Sequence, residues 1–412
     1  MYDLCHGCRL CFKFCDAFPT LFELIDRHDD QDAGRLTDDE QDSVVDSCFN
    51  CKLCFVNCPY TPGQHEWAID FPRLMLRAEA VGHKETRRPV QAFATDQFLG
   101  RTDLMGKLAT TSPALVNVMI RTPGSFARRV MGKAVGISSQ RVLPPYARQR
   151  FSTWFKKRAR LRFDKKQGSV ALFPTCLVEY QDTGVGKDLV KVLERNGVEC
   201  SLPDGQVCCG APWLHQGDVD GFTRNARRNV PLLAQAVRDG KDIVVPQPTC
   251  SYVLKQDYPD YVRSADADLV AANTYDSAEY LMKLHKDEGT SLDTDFAGTV
   301  PAAVTYHAPC HLRAQNIGLK SRDLLKLTGA KVTVVAECSG VDGTWGLRSE
   351  NIESSRGVAK KMANAINRAG NDTVAGDCSL AHIAIVQETG KTPVHPVQLL
   401  ARAYGIEPEE DR

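Results

Sequence analysis

Beyond residue 168 the chain shifts between two rhythms, short apolar runs and longer segments with an apolar residue every three or four positions. SVALFPTC (169–176) is a short run and predicts a strand ending at Cys176. GKDLVKVLERNG (186–197) has helical spacing and a closing glycine. VECSL (198–202) predicts a second strand, leading to Cys208 and Cys209. The same succession returns later. AAVTYHAPC (302–310) predicts a strand ending at Cys310, SRDLLKLTGA (321–330) a helix, and KVTVVAEC (331–338) a strand ending at Cys338. Cys176 and Cys208 are 32 residues apart, Cys310 and Cys338 are 28; the onward steps to Cys250 and Cys378 are 42 and 40. The pattern predicts a duplicated α/β unit with parallel strands and cysteines at their carboxyl ends.

The earlier chain reads differently. Residues 1–85 carry eight cysteines in two groups, with helix-prone sequence between them, and residues 86–167 carry none. The expected fold class is α+β multidomain. A helical domain (1–85) is followed by a basic helical linker or docking segment (86–167), a first repeat (168–290) and a second, cysteine-depleted repeat (291–412).

Composition narrows the class. At 412 residues, 43% hydrophobic and 25% charged, the chain can bury a large core without disulfide staples. Its sixteen cysteines are therefore expected to bind metal or do redox chemistry. No secretory signal and no apolar run of 18 residues is read, so a reducing cytoplasm is expected. Net charge is zero but uneven: residues 101–166 hold sixteen Lys/Arg against Asp103 and Asp164, a net of +14. FSTWFKKRARLRF (151–163) adds aromatics to that charge. The segment suits an anionic membrane surface, an acidic partner, or the acidic remainder of the chain. No reading motif supports nucleic-acid binding.

The cysteine motifs carry the chemistry. CHGCRLCFKFC (5–15) and CFNCKLCFVNCP (48–59) both have the C-x2-C-x2-C-x3-C spacing of two-cluster ferredoxins. Three closely spaced thiolates wrap one [4Fe–4S] cube and the fourth reaches the other. Cys5, Cys8, Cys11 and Cys58 are thus assigned to one cluster, and Cys48, Cys51, Cys54 and Cys15 to the second. Asp16 stands where proline is usual. The 33 residues from Cys15 to Cys48 favour a helical two-[4Fe–4S] ferredoxin-like domain over a compact ββ one. Zinc sites pair two CxxC units over longer gaps and fit less well. In the first repeat, Cys176, Cys208, Cys209 and Cys250 offer four thiolates, with Gly210 permitting the sharp turn that adjacent cysteines need. Cys200, on a strand outside the repeat pattern, reads as a core residue.

These motifs, together with RTDLMGKLATTSPALVN (101–117), YHAPCH (306–311) and GTWGLRSEN (343–351), resemble the family of the C subunit of anaerobic glycerol-3-phosphate dehydrogenase. More broadly the chain is similar to iron–sulfur proteins with cysteine-rich CCG domains, such as the B subunit of heterodisulfide reductase. The resemblance implies the domain form C…CCG…CxxC, whose five cysteines can hold a non-cubane [4Fe–4S] cluster. Here Gln247 replaces the first cysteine of CxxC in the first repeat, while Cys250 matches the second. In the second repeat Cys310, Cys338 and Cys378 match, but Ser339 and Ala381 stand in the remaining places. Four thiolates suffice for a further [4Fe–4S]-type cluster in the first repeat. Three in the second do not, unless His307, His311 or Asp377 helps.

TGVGKD (183–188) lacks the third glycine of a dinucleotide fingerprint and the Gly and Ser/Thr of a P-loop. With no flavin or NAD site of its own, the chain is expected to be the electron-transfer component of an oxidoreductase complex. It would relay single electrons between a flavin dehydrogenase-type partner and a quinone or other acceptor. It is expected in the cytoplasm, or peripheral at the inner face of the cell membrane. Three alternatives stay open: a stand-alone disulfide or quinone reductase, a donor to a rubrerythrin-like peroxide-reducing protein, and a non-redox cluster-bearing binding protein.

Overall fold

The computed structural model describes residues 1–85, 90–159 and 166–409. Strands β1 (Gly168–Leu172), β2 (Val198–Ser201), β3 (Asp242–Val245) and β4 (Thr274–Asp276) form one sheet in the order β2-β1-β3-β4. Strands β5 (Ala303–His307), β6 (Lys331–Val335) and β7 (Thr373–Gly376) form another in the order β6-β5-β7. Every pairing is parallel, with Ala171 opposite Ile243 and Thr305 opposite Val374. The order β2-β1-β3 repeats as β6-β5-β7, so the predicted duplication is present, with β4 added to the first copy.

Three predicted strands stop before their cysteines. β1 ends at Leu172, β5 at His307 and β6 at Val335. Pro174 and Pro309 follow the first two; neither can donate to a ladder. Cys176 instead lies in the helix Thr175–Tyr180, Cys310 opens the helix Cys310–Ala314, and Cys338 sits in a loop. The helix Thr183–Arg195 buries Val185, Leu189, Val190, Val192 and Leu193 against β1, β2 and the helix Pro396–Ala403. Each such side chain contributes about 1.5–3 kcal/mol. Gly186 in TGVGKD is a packing glycine: a Cβ there would meet Val178 at 2.6 Å and the Phe151 ring at 2.7 Å.

Residues 1–85 form the helices Tyr2–Cys8, Ala17–Asp26, Asp38–Asp46, Leu53–Asn57 and Phe71–Glu85, with no strand among the described residues. The acidic run begins a helix. Thr37 and Glu40 make a reciprocal capping box, and Asp38, Asp39 and Glu40 occupy the first turn, where the helix dipole favours negative charge. Phe18, Leu21, Phe22, Ile25 and Met75 make the local core around the cysteines.

The basic segment is only partly a surface. Arg128 and Arg141 are fully buried. Arg141 donates to the Gly346 carbonyl (2.8 Å), Ser355 Oγ (2.5 Å) and Gln387 Oε1 (3.2 Å), fastening the linker to the second repeat. The described aromatics of the stretch 151–163, Phe151, Trp154 and Phe155, turn inward, against the membrane-facing expectation. Phe151 and Phe155 are buried, Trp154 Nε1 donates to Glu409 (2.7 Å), and Arg158 pairs with Glu194 (2.8 Å). Residues 160–163 of that stretch, and Asp164, lie outside the described residues. No helix among the described residues is long and apolar enough to cross a membrane.

Candidate metal centres

Left-handed backbone at each N-terminal motif bends the chain so that its thiols converge. Arg9 (φ 53°) follows Cys8, while Asn50 (φ 54°) and Lys52 (φ 65°) flank Cys51. Cys5 lies within the electrostatic reach of Cys58 and Cys8, and Cys11 within that of Cys5, Cys58 and Cys8. Burial, then the neighbouring thiols, push Cys5 and Cys11 up to about 12. Cys15, Cys48, Cys51 and Cys54 line one narrow hollow walled by Phe14, Phe18, Phe49 and Phe71. Burial pushes Cys48 up to about 12, and burial with the surrounding thiols raises Cys54 well above an ordinary thiol. Among the described residues no three His, Cys, Asp or Glu side chains close to the spacing of a single metal ion. The second set surrounds a space instead. Apolar walls and crowded thiols that repel one another's charge suit a polynuclear cation, which reverses that repulsion.

The first repeat gathers four thiols. Cys209 and Cys250 sulfurs are 3.3 Å apart, and Cys208 contacts both Cys176 and Cys209. Thiol contacts from Cys176 and Cys209 hold Cys208 well below its ordinary pKa, while Cys176 is raised in return. The backbone of the pair is fixed on all sides. Cys208 N–H donates to Asp103 Oδ2 (2.7 Å), Asn225 Nδ2 donates to the Cys208 carbonyl (3.1 Å), and Tyr258 donates to the Cys209 carbonyl (3.1 Å). Gly210 has φ 97°, and a Cβ there would meet the Phe222 ring at 2.8 Å, so glycine is needed for conformation and for space. Asp103, from the linker, also accepts from Tyr180 (3.3 Å); burial and the Cys208 charge push its carboxyl up to about 6.

The second repeat is arranged differently. Cys338 shares contacts with Cys310 and with Cys51 of the N-terminal motif. Contact with the Cys338 thiol brings Cys310 down to about 5, and Cys378 lies within the same field. The loop after Cys338 seats on the N-terminal part. Trp345 packs on Phe49 at 4.9 Å and donates to the Asp46 carbonyl (3.1 Å). Asp16, the departure from proline, accepts from Ser354.

The replaced cysteine positions have other partners. Gln247 is buried, accepts from Ser379 N–H (3.0 Å) and donates to Ser379 Oγ (2.8 Å), joining the two repeats. Ala381 is buried in the second repeat, and Ser339 lies buried beside Cys338. Asp377 accepts from Tyr306 (2.5 Å) and Ser321 inside the core. His307 Nε2 bonds the Glu337 carbonyl (3.0 Å). Cys200 packs in the core beside β1 and β3.

One group escaped the sequence reading. Buried Asp342 lies 3.2 Å from His215 Nδ1 and 3.6 Å from His311 Nδ1, and the two imidazoles stack at 6.1 Å. Burial opposes the Asp342 charge, yet His215, His311 and Lys52 hold its carboxyl below the usual range. His215 follows CCGAPWL and Asp342 follows CSGV. The only local signal was a polar residue a few positions beyond each cysteine motif.

Parallel sheets with cysteines just past their strand ends, present twice, define a protein with paired cysteine-rich domains. Residues 170–255 and 304–385 each match the CCG cysteine-rich domain family. The chain is 30% identical over 308 residues to the C subunit of anaerobic glycerol-3-phosphate dehydrogenase of Escherichia coli K12, covering 74% of this chain and 76% of that protein. It is also 30% identical over 236 residues to the B subunit of fumarate reductase (CoM/CoB) of Methanothermobacter marburgensis, covering 56% of this chain and 44% of that one. Lactate utilization protein A 2 of Bacillus mycoides is 30% identical over 222 residues, 51% of this chain and 87% of that one. The chain belongs to the family of the anaerobic glycerol-3-phosphate dehydrogenase C subunit, as its motifs led one to expect.

Proposed function

We propose that the chain is the iron–sulfur electron-transfer subunit of an oxidoreductase. Its N-terminal part would be a helical ferredoxin-type domain. Cys5, Cys8, Cys11 and Cys58 would hold one [4Fe–4S] cluster, and Cys15, Cys48, Cys51 and Cys54 the other. Cys176, Cys208, Cys209 and Cys250 would hold a third. Clusters in these places would take up and release single electrons. The observation that carries the reading is the set of four thiols around one apolar-walled space, matching the four that the spacing selects. The protein's own residues shape the environment: Asp103, Asn225 and Tyr258 pin the Cys208–Cys209 backbone, and aromatic walls limit water at the second set. By analogy with relatives named as dehydrogenase and reductase subunits, the partner would be a flavin dehydrogenase-type protein and the far acceptor a quinone.

Membrane docking through the linker forms part of this reading. Of the fourteen exposed large apolar side chains among the described residues, nine lie between residues 90 and 130. Val118 and Phe126 are both 75% exposed, close to Arg121 and Arg129. An apolar surface edged with cations suits the interface of an anionic bilayer. Val118→Glu with Phe126→Glu should abolish cosedimentation with phosphatidylglycerol vesicles; retained binding would remove this face from the proposal.

The central test is iron and acid-labile sulfide per chain on anaerobically prepared protein, with EPR. About twelve irons are expected, with a third signal that disappears in Cys209→Ser. About eight irons and no third signal would confine the cofactors to the N-terminal motifs.

A further inference from the structure

We propose that a cavity beside the first cysteine quartet binds a small molecule bearing a carboxylate or phosphate group, held by Arg101 and Arg224. The cavity measures ≈ 490 Å³, within the range of small-ligand sites, and Arg101, Thr102, Asp103, Trp213, Arg224 and Asn225 line it. Its floor is the backbone that carries Cys208. Asp103 accepts the Cys208 N–H and Asn225 donates to the Cys208 carbonyl. A bound molecule would therefore lie one layer of residues from those thiols.

Charge selects the ligand class. Arg101, Arg224 and Arg227 are exposed, and among the described residues no carboxylate or other hydrogen-bond acceptor engages their guanidinium groups. Many other arginines of the chain are committed: Arg158 to Glu194, Arg195 to Asp293, Arg348 to Asp96, Arg356 to Glu388 and Arg402 to Asp188. Arg224 also lines an adjoining hollow of ≈ 490 Å³ with Arg227 and Tyr261, where the Asp220 carboxylate offsets part of the positive charge; the anion site is therefore placed in the first cavity. The cavity further opens on the start of the helix Thr102–Ala109, whose N-cap Arg101 makes no side-chain cap. Its first backbone N–H groups add donors and the positive end of a dipole. Asp103 is the one carboxylate on the wall. Its two oxygens are engaged by Tyr180 and the Cys208 N–H, which turns its charge toward the floor. The indole of Trp213 supplies an apolar side, so close to Gly100 that a Cβ there would meet it at 2.5 Å. Cations beside an aromatic wall fit a small organic anion.

Binding does not depend on the cofactor assignment, although nearness to a redox cluster rests on the proposed function. The test is anaerobic titration calorimetry on the full chain at low ionic strength, with inorganic phosphate and butyrate as separate probes. One saturable site for either anion is expected, quenching Trp213 fluorescence. Arg101→Gln and Arg224→Gln should each weaken it ~10-fold or more, as expected for a charge-assisted contact, with Arg224→Lys intermediate. Circular dichroism and iron content check that the variants fold. Saturable binding by neither anion, or binding that both glutamine variants keep, would overturn the proposal. So would an acidic partner protein whose affinity both variants lower while neither anion binds. A missing third EPR signal with binding intact would defeat the cofactor reading and leave the cavity assignment standing.

Discussion

Replacing Gln247 by alanine tests whether a family cysteine position has become a fastening between the repeats. The helix Ser379–Thr389 receives no side-chain cap from its own N-cap, Cys378. Gln247, at the end of β3 in the other repeat, takes the Ser379 N–H at 3.0 Å and donates to Ser379 Oγ at 2.8 Å. Truncation removes two neutral hydrogen bonds and leaves a buried N–H without an acceptor. Ser379 Oγ keeps Asp182 at 2.9 Å. The lost bonds amount to about 1 kcal/mol each and the stranded donor to about 1–3 kcal/mol. These overlap, so a loss of ~2–4 kcal/mol follows, or a fall of ~4–15 °C in the melting of a unit as large as the two repeats. Anaerobic thermal denaturation with iron analysis measures both consequences. A cycle with Ser379→Ala should give a coupling of ~1 kcal/mol for the amide–hydroxyl bond. An unchanged melting temperature, or additive single variants, would refute the fastening. Iron loss without destabilisation would make Gln247 a cofactor ligand instead.

Two further outcomes are expected. His395 is fully buried; its Nδ1 accepts from Val397 N–H (3.2 Å), Nε2 donates to the Pro246 carbonyl (3.1 Å), and burial, then His382, holds its pKa down to about 3. The neutral ring is therefore favoured by folding, and its contribution, complete above the unfolded value near 6.5, is lost as pH falls toward 3. From pH 7.5 to pH 5 this amounts to ~2 kcal/mol. The stability gap between wild type and His395→Asn, measured by denaturant unfolding, should narrow by that amount, and a constant gap would contradict the assignment. Arg141→Met strands the buried Gly346 carbonyl, while Gln387 Oε1 keeps the Val142 N–H and Ser355 Oγ keeps the Gly340 carbonyl, and should destabilise by ~2–4 kcal/mol while speeding proteolysis of the linker; wild-type protease resistance would argue against it.

The duplicated sheets were legible because apolar runs and helical segments follow the same succession twice. Their ends were less so. Cys176 and Cys310 continue apolar runs, but the intervening prolines break the ladder, and both cysteines enter helices. β4 escaped notice because three residues, Thr274–Asp276, are too short to show alternation. The linker misled through its composition. Sixteen cationic residues read as a surface, yet Arg128 and Arg141 are interior and Phe151 and Phe155 face the first repeat. Local spacing selected the thiols that line the hollow walled by Phe14, Phe18, Phe49 and Phe71. It could not reveal that Cys338 meets Cys51, or that Asp342 gathers His215 and His311, since those pairs are formed by packing between distant segments.

The Cys51–Cys338 contact also gives the second repeat a reason to keep its remaining cysteines. Three thiols are one short of a cube, and the residues in the vacated places are a buried serine and a buried alanine. Meanwhile the loop that carries Cys338 is held tightly: Gly340 N–H donates to the Cys338 sulfur at 3.3 Å, and at φ 67° a Cβ on Gly340 would strike the Ser355 carbonyl at 2.3 Å. That geometry presents a thiol to Cys51 from outside its own set. A hydrogen-bond donor near a ligating sulfur tunes the potential of the cluster that sulfur holds. Cys338→Ser should therefore leave iron per chain unchanged and shift the midpoint potential and EPR line shape of the cluster assigned to Cys15, Cys48, Cys51 and Cys54. Cys378→Ser, farther from Cys51, should shift them less. Loss of iron in Cys338→Ser with the N-terminal signals intact would show instead that the second repeat holds a centre of its own. An unaltered potential with full iron would mean that the thiol contact has no electronic consequence and that the loop serves only to dock the repeat.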